Sequence, residues 1–150
     1  MMYNEEKYGK LRCQHAGMHV RSIEETVAWY KDVLGFEEVP TPDSAVFHGC
    51  FPDSQLIKQG DFYLELYEVP DARDFDWVNV EYNMGVKHLS FSIPNLGEFM
   101  KDLRARGDVT ILVDNEYSEE ICHVPGGDNA VYILDNNGIL IELSKVHDRG

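Results

Sequence analysis

The chain has 150 residues, of which 43% are hydrophobic and 11% aromatic, so it can bury its own core without disulfide staples. Its 13 basic and 27 acidic residues give a formal charge of -14. That balance argues against nucleic acid and against an anionic membrane surface as partners, because both attract clustered Lys and Arg. The three cysteines, Cys13, Cys50 and Cys122, are scattered, so we expect no disulfides, small core thiols and a cytoplasmic location. The sequence contains no apolar run near the 18 residues that a transmembrane helix needs, and we expect no signal segment. Residues 1–12 are polar, and we expect them to fray or to lie over the surface as an arm.

The first half of the chain predicts one strand, one helix and three further strands. Residues 14–20 alternate, so that His15, Gly17 and His19 share one face of a strand. Ser22 opens an S-x-x-E capping box, and the apolar residues after it recur at helical spacing until Gly35. Further strands are predicted within the stretches FEEVP, SAVFHGCF and DFYLELYEV.

A long connection, residues 70–85, precedes a second copy of this pattern. A connection of this length is typically functional or mobile. Trp77 within it is a candidate to line the substrate-binding site. Strands are then predicted in VKHLSFSI, DVTILVDN, NAVYILDNNG and ILIELSKV, with a helix in NLGEFMKDLRARG that begins at Asn95. The DNNG segment predicts a hairpin. The repeat predicts an α+β fold of two βαβββ modules, residues 12–75 and 84–147, within a single domain of residues 1–150.

Each predicted module carries one histidine at its first strand and one glutamate in its last strand. The four residues are His15, Glu65, His88 and Glu142. Strand alternation places each of them on the more polar face, away from the helix-packed core. Burying a carboxylate without a partner costs several kcal/mol, and a divalent cation shared by two imidazoles and two carboxylates would offset that cost. We therefore predict a metal site, with Zn, Ni, Mn, Fe or Co as suitable ions.

An octahedral ion with four protein ligands leaves two adjacent positions for neighbouring substrate oxygens. The metal would act as a Lewis acid towards an enediolate-like charge, and a glutamate at the edge of the site would serve as the base. We assign that catalytic role to Glu142, with Glu65 as the second catalytic carboxylate. His19 lies too far along the strand to share the ion easily with His15, so we place it at the substrate together with Tyr63, Tyr67 and Trp77. The VPGGDN segment is a weak candidate phosphate cradle or a lid.

The stretches HAGMHVRSIEETVAWYKDVLGFEEV, YLELYE, VKHLSFSI and LDNNGILIELSKV resemble the vicinal oxygen chelate superfamily. That superfamily includes glyoxalase I, methylmalonyl-CoA epimerase, extradiol dioxygenases, and fosfomycin- and bleomycin-resistance proteins. The resemblance implies a cup-shaped half-barrel of mixed sheet with helices outside, and the same four ligands. A His-Glu-His-Glu set is similar to glyoxalase I. His19, however, stands where glyoxalase I enzymes typically have an arginine, and Val69 follows Glu68 where an asparagine is usual, which argues against glutathione.

These observations favour a metal-dependent lyase or isomerase of glyoxalase type that acts on a small substrate with vicinal oxygens. Three alternatives stay open: an Fe(II)-dependent extradiol-type dioxygenase, an isomerase like methylmalonyl-CoA epimerase, and a non-catalytic binder of the resistance type. The resemblance is compatible with two assemblies. In one, the two modules of a chain close the cup, and in the other, modules are exchanged between the two chains of a dimer. We expect a homodimer.

Overall fold

The computed structural model describes residues 3–40, 54–74, 85–86, 88–112, 123–124 and 128–145. The chain divides into two compact units, Met1–Ala72 and Arg73–Gly150. Within the described residues, each unit contains one mixed sheet and one long helix, in the α+β arrangement that the repeat predicts.

The first unit holds a four-stranded sheet. A short helix, α1 (Glu5–Tyr8), precedes strand β1 (Ala16–Val20) and helix α2 (Ile23–Leu34). Strands β2 (Glu37–Val39), β3 (Ser54–Gln59) and β4 (Phe62–Glu68) complete the unit. The strand order is β1-β4-β3-β2, in which β1 runs parallel to β4 and the other neighbours are antiparallel. The first and last strands of the unit therefore lie side by side.

Helix α2 forms where the sequence predicts it because both of its ends are capped. The Ser22 hydroxyl accepts a hydrogen bond from the Glu25 backbone N–H. Gly35 has a φ of 68°, the left-handed conformation that suits glycine, and its N–H bonds to carbonyls of the last turn. The buried face of α2 includes Tyr30, and the helix contacts β3 and β4. The core of this unit thus lies on one face of the sheet and leaves the other face for different contacts.

The second unit repeats this order on a five-stranded sheet. It contains β5 (Leu89–Ser92), α3 (Leu96–Arg106), β6 (Thr110–Ile111), β7 (His123–Val124), β8 (Asp128–Leu134) and β9 (Leu140–Ser144). The strand order is β5-β9-β8-β6, and β7 also pairs with β8. Strand β5 runs parallel to β9, as β1 does to β4. The two units therefore share one topology.

The DNNG segment forms the predicted turn between β8 and β9. The Asp135 carboxylate accepts hydrogen bonds from the backbone N–H groups of Asn137 and Ile139, each at 2.8 Å. Gly138 supplies a φ of 78° that other residues rarely adopt. Asp135 is only 6% exposed, so these two bonds are shielded from water. The turn fixes the register of β9, which carries Glu142.

Replacing Asp135 with alanine should lower the free energy of unfolding by about 2 kcal/mol, because two shielded N–H groups lose their acceptor. For a chain of this length that corresponds to a fall in Tm of about 4–8 °C. Thermal unfolding followed by circular dichroism measures the change. Asp135→Asn keeps a side-chain oxygen and serves as the matched control with a smaller loss. A Tm of Asp135→Ala within about 1 °C of the wild type would contradict the role of the carboxylate.

The α+β class and the two βαβββ patterns are confirmed, but several local predictions need correction. Residues 54–59 form β3, which the sequence analysis did not predict, while the strand predicted in SAVFHGCF lies outside the described residues. Helix α1 forms within the predicted polar arm. Asn95 occupies the cap position of α3 without a side-chain cap bond, and Cys13 is exposed where a core thiol was expected. The cup that the two sheets are expected to enclose stays a prediction.

Candidate metal centre

The first unit brings together one histidine and one glutamate at the edge of two parallel strands. His15 immediately precedes β1, and Glu65 lies within β4 directly opposite Gly17. The Nε2 atom of His15 lies 3.2 Å from Oε2 of Glu65. The parallel pairing of the first and last strands of the module therefore creates this contact between residues far apart in sequence.

The second unit contains the same contact in the same register. Glu142 lies within β9 directly opposite Ser90, and His88 precedes Ser90 by two residues, as His15 precedes Gly17. The Nε2 atom of His88 lies 3.2 Å from Oε2 of Glu142. The predicted correspondence of the two His–Glu pairs is thus seen within each unit.

Both glutamates lie on the sheet face opposite the apolar core. The side chains of Glu65 and Glu142 are 15% and 16% exposed. Their neighbours Leu64 and Leu66, and likewise Ile141 and Leu143, are fully buried on the other face. The alternation predicted from FYLEL and ILIELS is confirmed. The carboxylates are therefore shielded from water without being part of the core.

Hydroxyl groups are the other partners of these carboxylates. Ser54 donates to Oε1 of Glu65 at 3.3 Å, and Ser90 donates to Oε1 of Glu142 at 3.2 Å. Tyr132 donates to Oε2 of Glu142 at 2.8 Å. Within the described ranges no lysine or arginine pairs with either glutamate. A nearly shielded carboxylate with only neutral hydroxyls and one imidazole nearby is well suited to a cation.

Tyr67 is also bound to a glutamate. Its hydroxyl is hydrogen-bonded to the Glu65 carboxylate, and this bond, together with burial and the negative charge of Glu65, raises the pKa of Tyr67 to about 12. The phenol is therefore protonated, and able to donate, throughout the neutral range. The sequence analysis placed Tyr67 at the substrate. The hydrogen bond and the charge that raise its pKa also link Tyr67 to Glu65.

The two imidazoles both direct Nε2 towards a carboxylate. The other ring nitrogen of His15, Nδ1, contacts the side-chain oxygen of Gln14. Nδ1 of His88 is buried and has no hydrogen-bond partner among the residues that the structure describes. An imidazole nitrogen beside a carboxylate oxygen is a donor set that Zn, Ni, Mn, Fe and Co accept, so these residues fit a divalent metal. In the described part of the chain no group of three or more His, Cys, Asp or Glu side chains could hold an ion, so each unit offers two donors.

The remaining predicted site residues have different surroundings. His19 is exposed on the face of β1 that His15 shares, and its ring meets the Tyr67 ring edge-on at 6.0 Å. Tyr63 lies on the Glu65 face of β4 and is partly exposed. Trp77 and residues 125–127 of the VPGGDN segment lie outside the described residues. The sequence analysis missed Ser54, Ser90 and Tyr132, because only the pairing of strands brings them to the glutamates.

Two sheets of one topology, each with a His–Glu pair where its first and last strands meet, define a protein with two βαβββ modules. The chain belongs to the Glyoxalase/Bleomycin resistance protein/Dioxygenase superfamily, whose family model matches residues 12–143. No curated protein matches it significantly.

Solved structures support the same fold. A candidate glyoxalase from Bacillus halodurans is 22% identical, with a TM-score of 0.65 over 95% of this chain and 100% of that one. The fosfomycin resistance protein FosX from Listeria monocytogenes is 15% identical, with a TM-score of 0.62 over 91% of this chain and 92% of its own. A variant of FosX with Mn(II) and 1S,2S-dihydroxypropylphosphonic acid, 16% identical, gives a TM-score of 0.62 over 91% of both chains. At these identities the likeness establishes the fold.

No helix in the described part of the chain is both long enough and apolar enough to cross a membrane.

Proposed function

We propose that this protein is a metal-dependent lyase or isomerase of glyoxalase type, acting on a small substrate with vicinal oxygens. The observation that carries the proposal is the pair of His–Glu contacts in one register, His15 with Glu65 and His88 with Glu142. Each contact supplies one nitrogen and one oxygen, and a single ion held by both contacts would have the predicted four ligands.

Electrostatics supports a cation at these carboxylates. A carboxylate that is mostly shielded from water loses hydration, and neutral hydroxyl donors restore only part of it. Glu65 and Glu142 both have this environment, with no basic partner other than a histidine in the described ranges. A divalent ion would compensate both negative charges. The Mn(II) in the structure of a FosX variant supports the choice of a divalent metal, since FosX shares the fold.

The proposed roles keep the assignments made from the sequence. His15, Glu65, His88 and Glu142 would hold the ion, which when bound supplies Lewis acidity towards substrate oxygens. Glu142 would accept a proton from the substrate and return it, since a carboxylate held by two hydroxyls in a shielded site keeps a fixed orientation. His19, Tyr63, Tyr67 and Trp77 would contact the substrate. His19 brings an imidazole where glyoxalase I has a guanidinium, so we propose a substrate without the glutathione carboxylate.

Metal analysis of the purified protein tests the proposal. We expect one divalent ion per chain, found by elemental analysis and recovered by titrating metal-free protein with Mn²⁺, Zn²⁺, Ni²⁺, Fe²⁺ or Co²⁺ in a calorimeter. Activity is then measured with methylglyoxal hemithioacetals of several thiols, with methylmalonyl-CoA, with catechol under oxygen, and with fosfomycin. Lyase or isomerase turnover that chelation abolishes would support the assignment.

Other outcomes identify other functions. Oxygen consumption with catechol would indicate a dioxygenase, and loss of fosfomycin would indicate a resistance enzyme. Absence of metal affinity would overturn the proposal and favour a non-catalytic binder. Sedimentation of the same samples tests the proposed homodimer, in which the site is completed within a chain or by exchange of modules.

A further inference from the structure

We infer that Tyr67 and Tyr132 are positioning residues, each of which fixes one metal-ligating glutamate through its hydroxyl group. The inference rests on the proposed metal site. It gives these two tyrosines a role towards the metal ligands that does not depend on a bound substrate. Tyr67 acts on Glu65 and Tyr132 acts on Glu142.

In the second unit the tyrosine contacts both members of the His–Glu pair. Tyr132 lies on β8 directly opposite Glu142 in the antiparallel pairing. Its hydroxyl donates to Oε2 of Glu142 at 2.8 Å, and Oε2 is the oxygen that faces Nε2 of His88. The ring of Tyr132 meets the His88 ring edge-on, with centroids 6.0 Å apart and planes at 79°. One side chain thus constrains the imidazole and the carboxylate together.

In the first unit the tyrosine comes from the glutamate's own strand. Tyr67 follows Glu65 by two residues on β4, so both side chains project from the same face. Its ring covers Gly17, where an added Cβ would lie only 3.1 Å from Cε2 of Tyr67. Gly17 is directly opposite Glu65 in the parallel pairing. A glycine at this position lets the phenol lie across β1 at the point opposite Glu65, in keeping with the hydrogen bond to Glu65 that raises the pKa of Tyr67.

The two tyrosines occupy non-equivalent places in the repeated modules. The residue directly opposite Glu65 on β3 is Leu56, where the second unit has Tyr132 opposite Glu142. The residue two places after Glu142 on β9 is Ser144, where the first unit has Tyr67. A tyrosine inherited with the repeat would stand at matching positions. The hydroxyl–glutamate contact therefore arises separately in each unit, which points to a requirement of the glutamates themselves.

Serine hydroxyls complete the arrangement from equally non-equivalent places. Ser54 lies opposite Tyr67 on β3, whereas Ser90 lies opposite Glu142 on β5. Each glutamate therefore receives one serine and one tyrosine hydroxyl in addition to its imidazole. A carboxylate oxygen can accept more than one bond, so these donors restrict rotation of the group while leaving it able to bind a metal.

Groups that orient a metal ligand typically contribute 10–100-fold to metal affinity. We therefore expect Tyr67→Phe and Tyr132→Phe each to weaken Mn²⁺ binding by about 10–100-fold in calorimetric titrations of metal-free protein. Phenylalanine keeps the ring and removes only the hydroxyl. Tyr30→Phe is the matched control, because Tyr30 is a fully buried tyrosine on α2 whose hydroxyl lies 4.0 Å from Sδ of Met18. That variant should bind Mn²⁺ with wild-type affinity.

A spectroscopic measurement separates positioning from a general structural effect. The visible absorption of the Co²⁺-loaded protein depends on the geometry of the ligands, so it should shift in Tyr67→Phe and Tyr132→Phe and stay unchanged in Tyr30→Phe. Thermal unfolding of the metal-free variants shows whether the fold is retained.

Different outcomes would contradict the positioning role and the proposed metal-dependent function. Wild-type protein that binds none of the divalent ions overturns the proposed function. Wild-type protein that binds Mn²⁺, with both site variants equal to it in affinity and in Co²⁺ spectrum, overturns only the positioning role.

Discussion

Replacing Glu142 with glutamine should lower turnover by about 10²–10⁴-fold while the protein stays folded, because the amide cannot take up a substrate proton. The replacement nearly preserves shape. In the native protein Ser90 and Tyr132 donate to different oxygens of the carboxylate. The single amide oxygen can keep one of these bonds, and the amide NH2 can donate to the other hydroxyl. The charge is lost where the side chain is only 16% exposed, so removing it should not destabilise the strand. Steady-state kinetics with the substrate found in the activity screen, together with thermal unfolding, measures both effects.

Glu98→Gln is the matched control for this substitution. Glu98 lies on α3 with a side chain that is 80% exposed, and it is 3.9 Å from Lys101 in a surface pair that contributes little. Its replacement removes the same charge from the same unit without touching the site, so turnover should equal that of the wild type. Full activity of Glu142→Gln beside an active control would refute the role of Glu142 as base. Equal losses in both variants would indicate an effect of net charge instead.

The sequence alone predicts which residues face the site, because strand alternation is a local property. The alternation in β4 and β9 assigns Glu65 and Glu142 to the polar face, and the burial of the intervening leucines and isoleucine confirms it. The pairing of each glutamate with its histidine is predictable for a related reason. The repeat indicates that the first and last strands of each module correspond, and parallel pairing brings their polar faces together.

Strand β3 was missed because its stability comes from its neighbours. The segment SQLIKQ contains only two large apolar residues, and its alternation is too weak to predict a strand. In the structure β3 is bonded to β2 on one side and to β4 on the other, and Ile57 is fully buried. Packing and pairing with adjacent strands, not intrinsic propensity, determine this segment.

The sequence analysis missed the hydroxyl groups that donate to the glutamates, because the sequence of one strand does not determine its register with the next. Tyr132 reaches Glu142 only because β8 and β9 pair with these two residues opposite each other, a register fixed by the turn at Asp135. Ser90 and Ser54 depend in the same way on the pairing of β5 with β9 and of β3 with β4. Alternation along a strand predicts which face of the sheet a side chain lies on. Its neighbours on adjacent strands depend on the register, which the turns determine.

Removing either imidazole should weaken metal binding to a similar degree, although the two histidines belong to different modules. We expect His15→Ala and His88→Ala each to lower Mn²⁺ affinity by more than about 100-fold, beyond the 10–100-fold range of residues that only orient a ligand. The physical reason is that each imidazole directs Nε2 at a glutamate, at 3.2 Å in both units, so each variant would lose one ligand atom of a shared set. Calorimetric titration of metal-free protein gives both the affinity and the number of ions per chain.

The number of bound ions makes this prediction sharper than the affinity alone. If the four residues share one ion, the wild type binds one Mn²⁺ per chain and either replacement removes nearly all binding. If each His–Glu pair held its own ion, the wild type would bind two, and each replacement would leave one site intact. His19→Ala is the contrast on the same face of β1, since its ring contacts Tyr67 and it is not part of the His15–Glu65 pair. That variant should change Mn²⁺ affinity by no more than a few-fold and act mainly on the KM of the substrate. Two ions per chain, or equal losses in His19→Ala and His15→Ala, would contradict a single centre formed by both modules.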